Sequence, residues 1–95
     1  MTFLISYELN TPQKDYSSFF AALRECGESI QVSRNTIALL VRNDRQIQSV
    51  DSLANFLAKW LSPSDRLLIY DITGRRGNGL QTDDTWKWLN ARING

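Results

Sequence analysis

The stretch ESIQVSRNTIALLVRN (28–43) decides the fold, because it predicts two consecutive β-strands between two helical segments. Ser29–Ser33 and Thr36–Arg42 are rich in β-branched and apolar residues and are the predicted strands. Arg34 and Asn35 between them are typical of a tight turn, since asparagine tolerates the left-handed backbone that such a turn requires. The stretch is therefore predicted to form a β-hairpin.

Helical patterns flank the hairpin on both sides. Upstream, apolar residues fall on one helix face between the predicted N-cap Asp15 and the predicted stop at Gly27. Downstream, apolar residues recur at helical spacing through 50–62, after the predicted N-cap Ser49. The hairpin is thus expected to connect two amphipathic helices.

Two further strands complete the pattern, TFLISYEL (2–9) and RLLIYDIT (66–73). The order β-α-β-β-α-β is that of the ferredoxin-like α+β fold, an antiparallel sheet with strand order four, one, three, two and both helices on one face. Residues 1–73 are predicted to form this ferredoxin-like domain. Residues 74–95 add a Gly/Arg-rich loop and a short C-terminal helix, with Thr82 as its N-cap, to the same domain.

The predicted sheet is apolar on both faces. In the first strand Phe3, Ile5 and Tyr7 point to one face, and Leu4 points to the other. Two helices on one side of an antiparallel sheet should leave a polar opposite face. Either the C-terminal helix or a second copy of the chain must cover that face, and a homodimer through stacked sheet faces is the expectation.

Composition limits the classes of function. The 95 residues are enough for one domain, and a net charge of +1 argues against a dedicated basic surface for coating DNA. The chain has no histidine, so proton transfer would fall to carboxylates, tyrosine, lysine, a metal or the single thiol, Cys26. A lone cysteine, no signal-peptide pattern and no long apolar run predict a cytoplasmic protein without a membrane partner.

The first strand and the passage into the fourth resemble a known family. The carrying residues are Ser6 to Leu9 with Asn10 and Pro12, the passage LSPSDRLLIYDIT (61–73) and the Trp-bearing tail. This pattern resembles the second CRISPR-associated protein, the small partner of the CRISPR integrase, and its superfamily of virulence-associated protein D toxins and small SinR-family proteins. The resemblance implies a dimeric nucleic-acid-associated protein that serves as a scaffold or as a metal-dependent endonuclease on RNA or DNA.

The resemblance gives Glu8 a specific role. The family has an aspartate at the end of the first strand that faces its copy across the dimer two-fold and is proposed to hold a divalent metal. By position, Glu8 would be the catalytic and metal-binding residue, with Mg²⁺ or Mn²⁺ as the ion. The residues themselves also allow a cross-strand ion pair between Glu8 and Arg66. Asp71 is expected more than about 10 Å from Glu8, at the far end of the fourth strand.

The segment GRRGNG (74–79) is the second candidate site. Arg75 and Arg76 are predicted to contact nucleic-acid phosphates, and a solvated connector is the alternative. Trp86 and Trp88 are suited either to stacking on bases or to packing a docking helix. No nucleotide-binding motif is present, so no nucleotide or organic cofactor is expected. The alternative function is a protein-interaction or toxin-antitoxin module that uses the same fold without chemistry.

Overall fold

A computed structural model describes residues 1–42 and 47–93 of the chain. Asn43 of the quoted hairpin stretch and the last two residues of the predicted 74–95 segment lie outside the described residues. The elements in chain order are β1 (Thr2–Glu8), α1 (Ser17–Cys26), β2 (Glu28–Ser33), β3 (Thr36–Leu40), α2 (Val50–Leu57), a 3₁₀ helix (Ala58–Trp60), β4 (Arg66–Asp71) and α3 (Asp83–Arg92). The predicted α+β class, with an antiparallel sheet and a third, C-terminal helix, is confirmed.

The four strands form one antiparallel sheet in the order β2-β3-β1-β4. The central strand β1 pairs with β3 on one side and with β4 on the other. Along β4 the register places Glu8 opposite Arg66 and Phe3 opposite Asp71. β2 and β4 are therefore the two edge strands of the sheet.

One face of the sheet carries the main core. Phe3, Ile5 and Tyr7 alternate along β1 and are buried beneath α1 and α2. Tyr7 also packs edge-to-face on Phe19 and Phe20 of α1. Fully burying one such side chain contributes about 1.5–3 kcal/mol. The other buried core residues are Ala22, Leu23, Cys26, Ile37, Leu39, Val41, Ile47, Leu53 and Leu57.

Helix α3 covers part of the second face. The Thr2 hydroxyl donates to the Arg92 carbonyl at 2.9 Å, and the Gly74 N–H donates to the Ile93 carbonyl at 2.5 Å. Over β4 the same face stays open, since Leu68 is 55% and Tyr70 62% exposed. The chain's own tail thus supplies one part of the cover that the two-sided apolar sheet demands.

Two of the predicted helix caps are confirmed. The Ser49 hydroxyl accepts from the Ser52 N–H at 3.1 Å, and the Ser52 hydroxyl bonds back in a capping box. The Thr82 hydroxyl accepts from the Thr85 N–H at 3.2 Å. Each cap satisfies a backbone donor that has no partner within the helix.

The predicted element ends differ by a few residues. Asp15 accepts from the Ser17 N–H at 2.9 Å, but the cap position itself is Tyr16. α2 ends at Leu57 and continues as a 3₁₀ helix to Trp60 rather than running to residue 62. Residue 62 itself is disfavoured in a helix because it precedes Pro63. β1, β3 and β4 each end one or two residues earlier than predicted.

Candidate functional site

Glu8 lies at the exposed end of β1. Its position opposite Arg66 agrees with the prediction. The expected ion pair is not formed, because the Arg66 guanidinium donates instead to the carbonyls of Pro63 and Asp65, each at 3.2 Å. Within residues 1–42 and 47–93, no cationic group lies within 4.0 Å of the Glu8 carboxylate. Glu8 is thus an exposed carboxylate without a charge partner in the described part of the chain.

The surroundings of Glu8 in one copy of the chain bear on the predicted metal site. Asp71 pairs with Phe3, five residues away from Glu8 along β1, so the backbones of Asp71 and Glu8 lie about 16 Å apart. In the described residues, no cluster of three or more acidic or cysteine side chains could hold an ion. No catalytic step through a metal follows from this arrangement.

The surface beside Glu8 is a polar depression. It has a volume of about 500 Å³ and lies between the end of β1 and the turn that joins β2 to β3. The lining residues are Tyr7, Glu8, Leu9, Asn10, Phe20, Arg34 and Asn35. Arg34 and Glu8 give this depression one charge of each sign, so it has no strong preference for an anion.

Asp65 is the most highly coordinated carboxylate in the described chain, and sequence analysis missed it. It accepts from the Tyr16 hydroxyl at 2.5 Å and from the N–H groups of Asn10 and Ser62, both at 2.8 Å. The Thr11 hydroxyl also donates at 3.1 Å, and the Lys14 ammonium lies 3.8 Å away. Burial alone would raise the pKa of Asp65, but these hydrogen bonds outweigh it and hold the pKa well below its usual range.

Asp65 holds the loop after β1 against the turn before β4 through these hydrogen bonds. That loop includes Gln13, a non-glycine residue with a left-handed φ of 62°. N–H and O–H donors of the segment around this loop converge on the Asp65 side chain, which is 0% exposed. Because the carboxylate oxygens already accept hydrogen bonds from this chain, Asp65 is a structural residue. Its partners Asn10 and Tyr16 lie about fifty residues earlier in the sequence, and no sequence motif indicates contacts over that separation.

The Gly/Arg-rich loop forms the second candidate site. Residues 74–81 follow β4 and lead into α3, and they begin at Gly74, whose φ of 69° is left-handed. Arg75 and Arg76 are both exposed. Loop, helix and sheet enclose a groove of about 680 Å³. Its apolar lining consists of Leu4, Val32, Ile72, Leu80, Trp86, Leu89 and Ile93, and its polar rim of Arg75, Arg76, Asn78, Gln81 and Asn90.

The two loop arginines keep their guanidinium groups available. No carboxylate of the described residues lies within 4.0 Å of either Arg75 or Arg76. The pKa of Asp71 is lowered chiefly by hydrogen bonds from the Thr73 side chain and N–H, with smaller contributions from the N-terminal ammonium and Arg75. The loop thus presents two cations beside an apolar groove.

The two tryptophans of α3 differ in their surroundings. Trp86 is half-buried in the groove wall. Trp88 lies outside that wall, and the Arg92 guanidinium stacks on its ring at 4.7 Å from the centroid. Arg92 also contacts Glu28 at 2.6 Å, which ties α3 to β2. Trp88 therefore packs the helix, and Trp86 is the one placed to contact a ligand in the groove.

The structure keeps the two predicted sites apart. Ile72, at the start of the loop, donates its N–H to the Thr2 carbonyl at one end of β1, whereas Glu8 ends the same strand. Arg75 and Arg76 share a groove with Trp86, and Glu8 is not part of it. A joint site of Glu8 and the arginines is thus not formed within one copy.

Comparison of the chain with protein-family models, curated proteins and solved structures found no match. The family assignment therefore has no support from these comparisons. Among the described helices, none combines the length and apolar character needed to cross a membrane.

Proposed function

We propose that this protein is a small nucleic-acid-associated protein that binds single-stranded RNA or DNA through the Arg75–Arg76 loop and the groove beside it. One observation carries the proposal. Two exposed arginines with no carboxylate of the described chain within 4.0 Å lie on the rim of a largely apolar groove of about 680 Å³. Nucleic acid offers both matching chemistries, an anionic backbone and flat apolar bases.

Each part of the groove suits one part of a nucleotide. Guanidinium groups bind phosphate oxygens through paired N–H donors, and glycines let the backbone approach closely. The Trp86 indole in the wall offers a surface for base stacking. Such a site tracks a flexible single strand and has little sequence preference.

The scaffold role is favoured over the nuclease role. A Mg²⁺- or Mn²⁺-dependent endonuclease of the kind that the resemblance implies would need Glu8 from a second copy beside the first. The Arg75–Arg76 loop and the groove beside it, by contrast, are formed within one copy. We therefore place the function in binding and not in chemistry at Glu8.

We further propose that the chain is a ferredoxin-like domain and that it works in the cytoplasm. The element order β-α-β-β-α-β and the central place of β1 between β3 and β4 support a ferredoxin-like domain of the kind found in the second CRISPR-associated protein. One cysteine, Cys26, buried on α1, suits the reducing cytoplasm.

A protein-interaction module of the toxin-antitoxin type is the second candidate. The exposed side chains of Leu68 and Tyr70 favour it, since adjacent apolar side chains on an open sheet face mark interaction surfaces. A protein partner bound there would contact β4, whereas a nucleic acid would contact the loop 74–81. The two candidates therefore predict different effects for charge removal in the loop.

The double variant Arg75→Gln/Arg76→Gln is expected to weaken binding to a single-stranded RNA and to flatten its salt dependence. The slope of log affinity against log salt is negative, and each lost phosphate contact reduces its magnitude by about 0.7. The double variant should therefore have a slope that is shallower by about 1.4. Fluorescence anisotropy with a labelled oligonucleotide across a salt series measures both quantities, and a labelled DNA of the same sequence distinguishes the two polymers.

The matched control removes two cations elsewhere. Arg24 and Lys59 are exposed on α1 and the 3₁₀ helix, on the opposite side of the sheet. Arg24→Gln/Lys59→Gln changes the net charge equally and should leave the salt slope at the wild-type value. If both double variants lose the same affinity, binding is diffuse, and the loop is not the site. If the wild-type protein binds neither polymer at low salt, the proposed function is wrong.

Glu8→Gln is expected to leave nucleic-acid affinity unchanged and to cause no difference in cleavage. The carboxylate lies outside the groove and has no metal-binding partner within the described chain. The test compares both proteins on a labelled RNA with Mg²⁺ or Mn²⁺, after purification from contaminating nuclease. Metal-dependent cleavage by the wild-type protein that disappears in the variant would instead establish Glu8 as a catalytic residue.

A further inference from the structure

The edge strand β4 has a row of backbone groups that face away from the sheet. The Ile72 N–H donates to the Thr2 carbonyl at 2.9 Å, so alternate residues of β4 direct their backbone groups towards β1. Leu67, Ile69 and Asp71 between them direct theirs outwards. None of these outward groups has a hydrogen-bond partner within residues 1–42 and 47–93. They are positioned to pair with another strand.

The opposite edge strand, β2, is protected against such pairing. Its register shifts between Gln31 and Ser33, and the Gln31 side-chain amide donates to the Ser33 carbonyl at 2.6 Å. Glu28 at its start contacts Arg42 at 3.1 Å and Arg92 at 2.6 Å. Bulges and charges are the usual means by which edge strands avoid association.

β4 lacks both kinds of protection. Its register with β1 is continuous, and its charged residues are only the terminal ones, Arg66 and Asp71. Leu68 and Tyr70, exposed at 55% and 62%, stand side by side on its open face. An edge of this kind is a template for association with a further strand.

We propose that two copies of the chain associate through their β4 edges, antiparallel, with Ile69 on the two-fold axis. The occupant of the edge is a second copy because the strand is self-complementary. Centred on Ile69, the pairing sets Leu68 opposite Tyr70 of the partner subunit, so each exposed apolar side chain gains an apolar neighbour. It also brings the cationic end of each strand, at Arg66, to the anionic end of the other.

Apolar matching selects this register over the one centred on Leu68. That alternative would set Tyr70 opposite Arg66 of the partner subunit, so the exposed ring would have a charged neighbour instead of an apolar one. The centre on Ile69 instead sets Tyr70 opposite Leu68 of the partner subunit. The resulting assembly is a continuous eight-stranded sheet, two copies of the four-stranded one.

This dimer keeps the two copies of Glu8 apart. Two β4 strands lie between the two copies of β1, so three inter-strand spacings separate them by at least about 14 Å. A metal cannot bridge the two carboxylates at that distance. This association does not depend on nucleic-acid binding, and it disfavours a metal site shared by the two copies.

Sedimentation equilibrium of the full chain tests whether it associates. The wild-type protein is expected to dimerise weakly, with a dissociation constant on the order of 10 μM, since the interface is small. Leu68→Lys/Tyr70→Lys sets like charges opposite each other and should raise that constant at least tenfold. Ser29→Lys/Ser33→Lys adds the same charges on the β2 edge and should leave it unchanged. A wild-type protein that is monomeric throughout, or equal weakening by both variants, overturns the proposal.

Cysteine cross-linking distinguishes edge pairing from stacked sheet faces. Ile69→Cys faces its own copy across a hydrogen-bonded pair, with Cα atoms about 5.5 Å apart, within disulfide range. It should form a covalent dimer on mild oxidation. Leu67→Cys lies on the same face but is offset from its copy by about 13 Å, so it should form no covalent dimer. If neither variant cross-links, as stacking through the other sheet face would predict, or if Leu67→Cys cross-links, the Ile69-centred edge dimer is wrong.

Discussion

Gly27→Ala is expected to lower the free energy of unfolding by about 3 kcal/mol or more. A Cβ atom at this position would lie 1.9 Å from the Leu40 carbonyl oxygen and 3.0 Å from its carbonyl carbon. These are backbone atoms of β3, which is paired on both sides with β1 and β2. Relief of the clash would therefore displace the sheet. Urea denaturation should show a lower midpoint with an unchanged slope.

Gly77→Ala is the matched control. A Cβ atom at Gly77 would meet nothing within 4 Å, so its effect should stay within about 0.5 kcal/mol. If Gly27→Ala is equally mild, the close passage of the chain between α1 and β2 against β3 is incorrect. The comparison thus tests the packing that joins the first helix to the hairpin.

Asp65→Asn is expected to lower the melting temperature by more than about 5 °C at neutral pH. The substitution replaces one acceptor oxygen by an NH₂ group, although donors surround the side chain. One carboxylate oxygen accepts from Tyr16, Asn10 and Thr11, and the other accepts from the Ser62 N–H. The amide would leave at least one buried donor unsatisfied. Asp51→Asn, on the exposed start of α2, is the control and should change the melting temperature by less than about 3 °C.

The same residue predicts a pH dependence. Burial would raise the pKa of Asp65, but its hydrogen bonds lower it below the unfolded value of about 3.9, so folding favours the ionised form. Its contribution is complete above about pH 5 and is lost as the pH falls towards the folded pKa. Thermal melts from neutral pH to about pH 3 should show the gap between wild type and Asp65→Asn narrowing. A constant gap would mean that the carboxylate charge does not matter.

Much of the fold could be predicted because the spacing of apolar residues agrees with the positions of turn and cap residues. The hairpin at Arg34 and Asn35, the caps Ser49 and Thr82, and the antiparallel sheet all follow from local rules about turns, helix ends and alternation. The position of Glu8 opposite Arg66 followed from topology alone. Element ends were less predictable because turns at the ends compete with continuation of the helix or strand.

The site residues were harder to predict because their contacts are not local. Asp65 draws its partners from a loop more than forty residues earlier, and no spacing rule records such a contact. The Glu8–Arg66 ion pair fails because carbonyls near Arg66 compete for its guanidinium. The apolar second face of the sheet was predictable. Which part of it α3 covers, and that the part over β4 stays exposed, depends on where the C-terminal segment packs.

The most direct test of the account is a map of where nucleic acid contacts the chain. Titration of the ¹⁵N-labelled protein with a short single-stranded RNA at low salt should shift the amides of residues 74–81 and the Trp86 indole. The amides of Glu8 and Asn35, in the depression at the other end of β1, should stay unchanged. Shifts concentrated around Glu8, Arg34 and Arg66, with none in the loop, would contradict the proposed binding site.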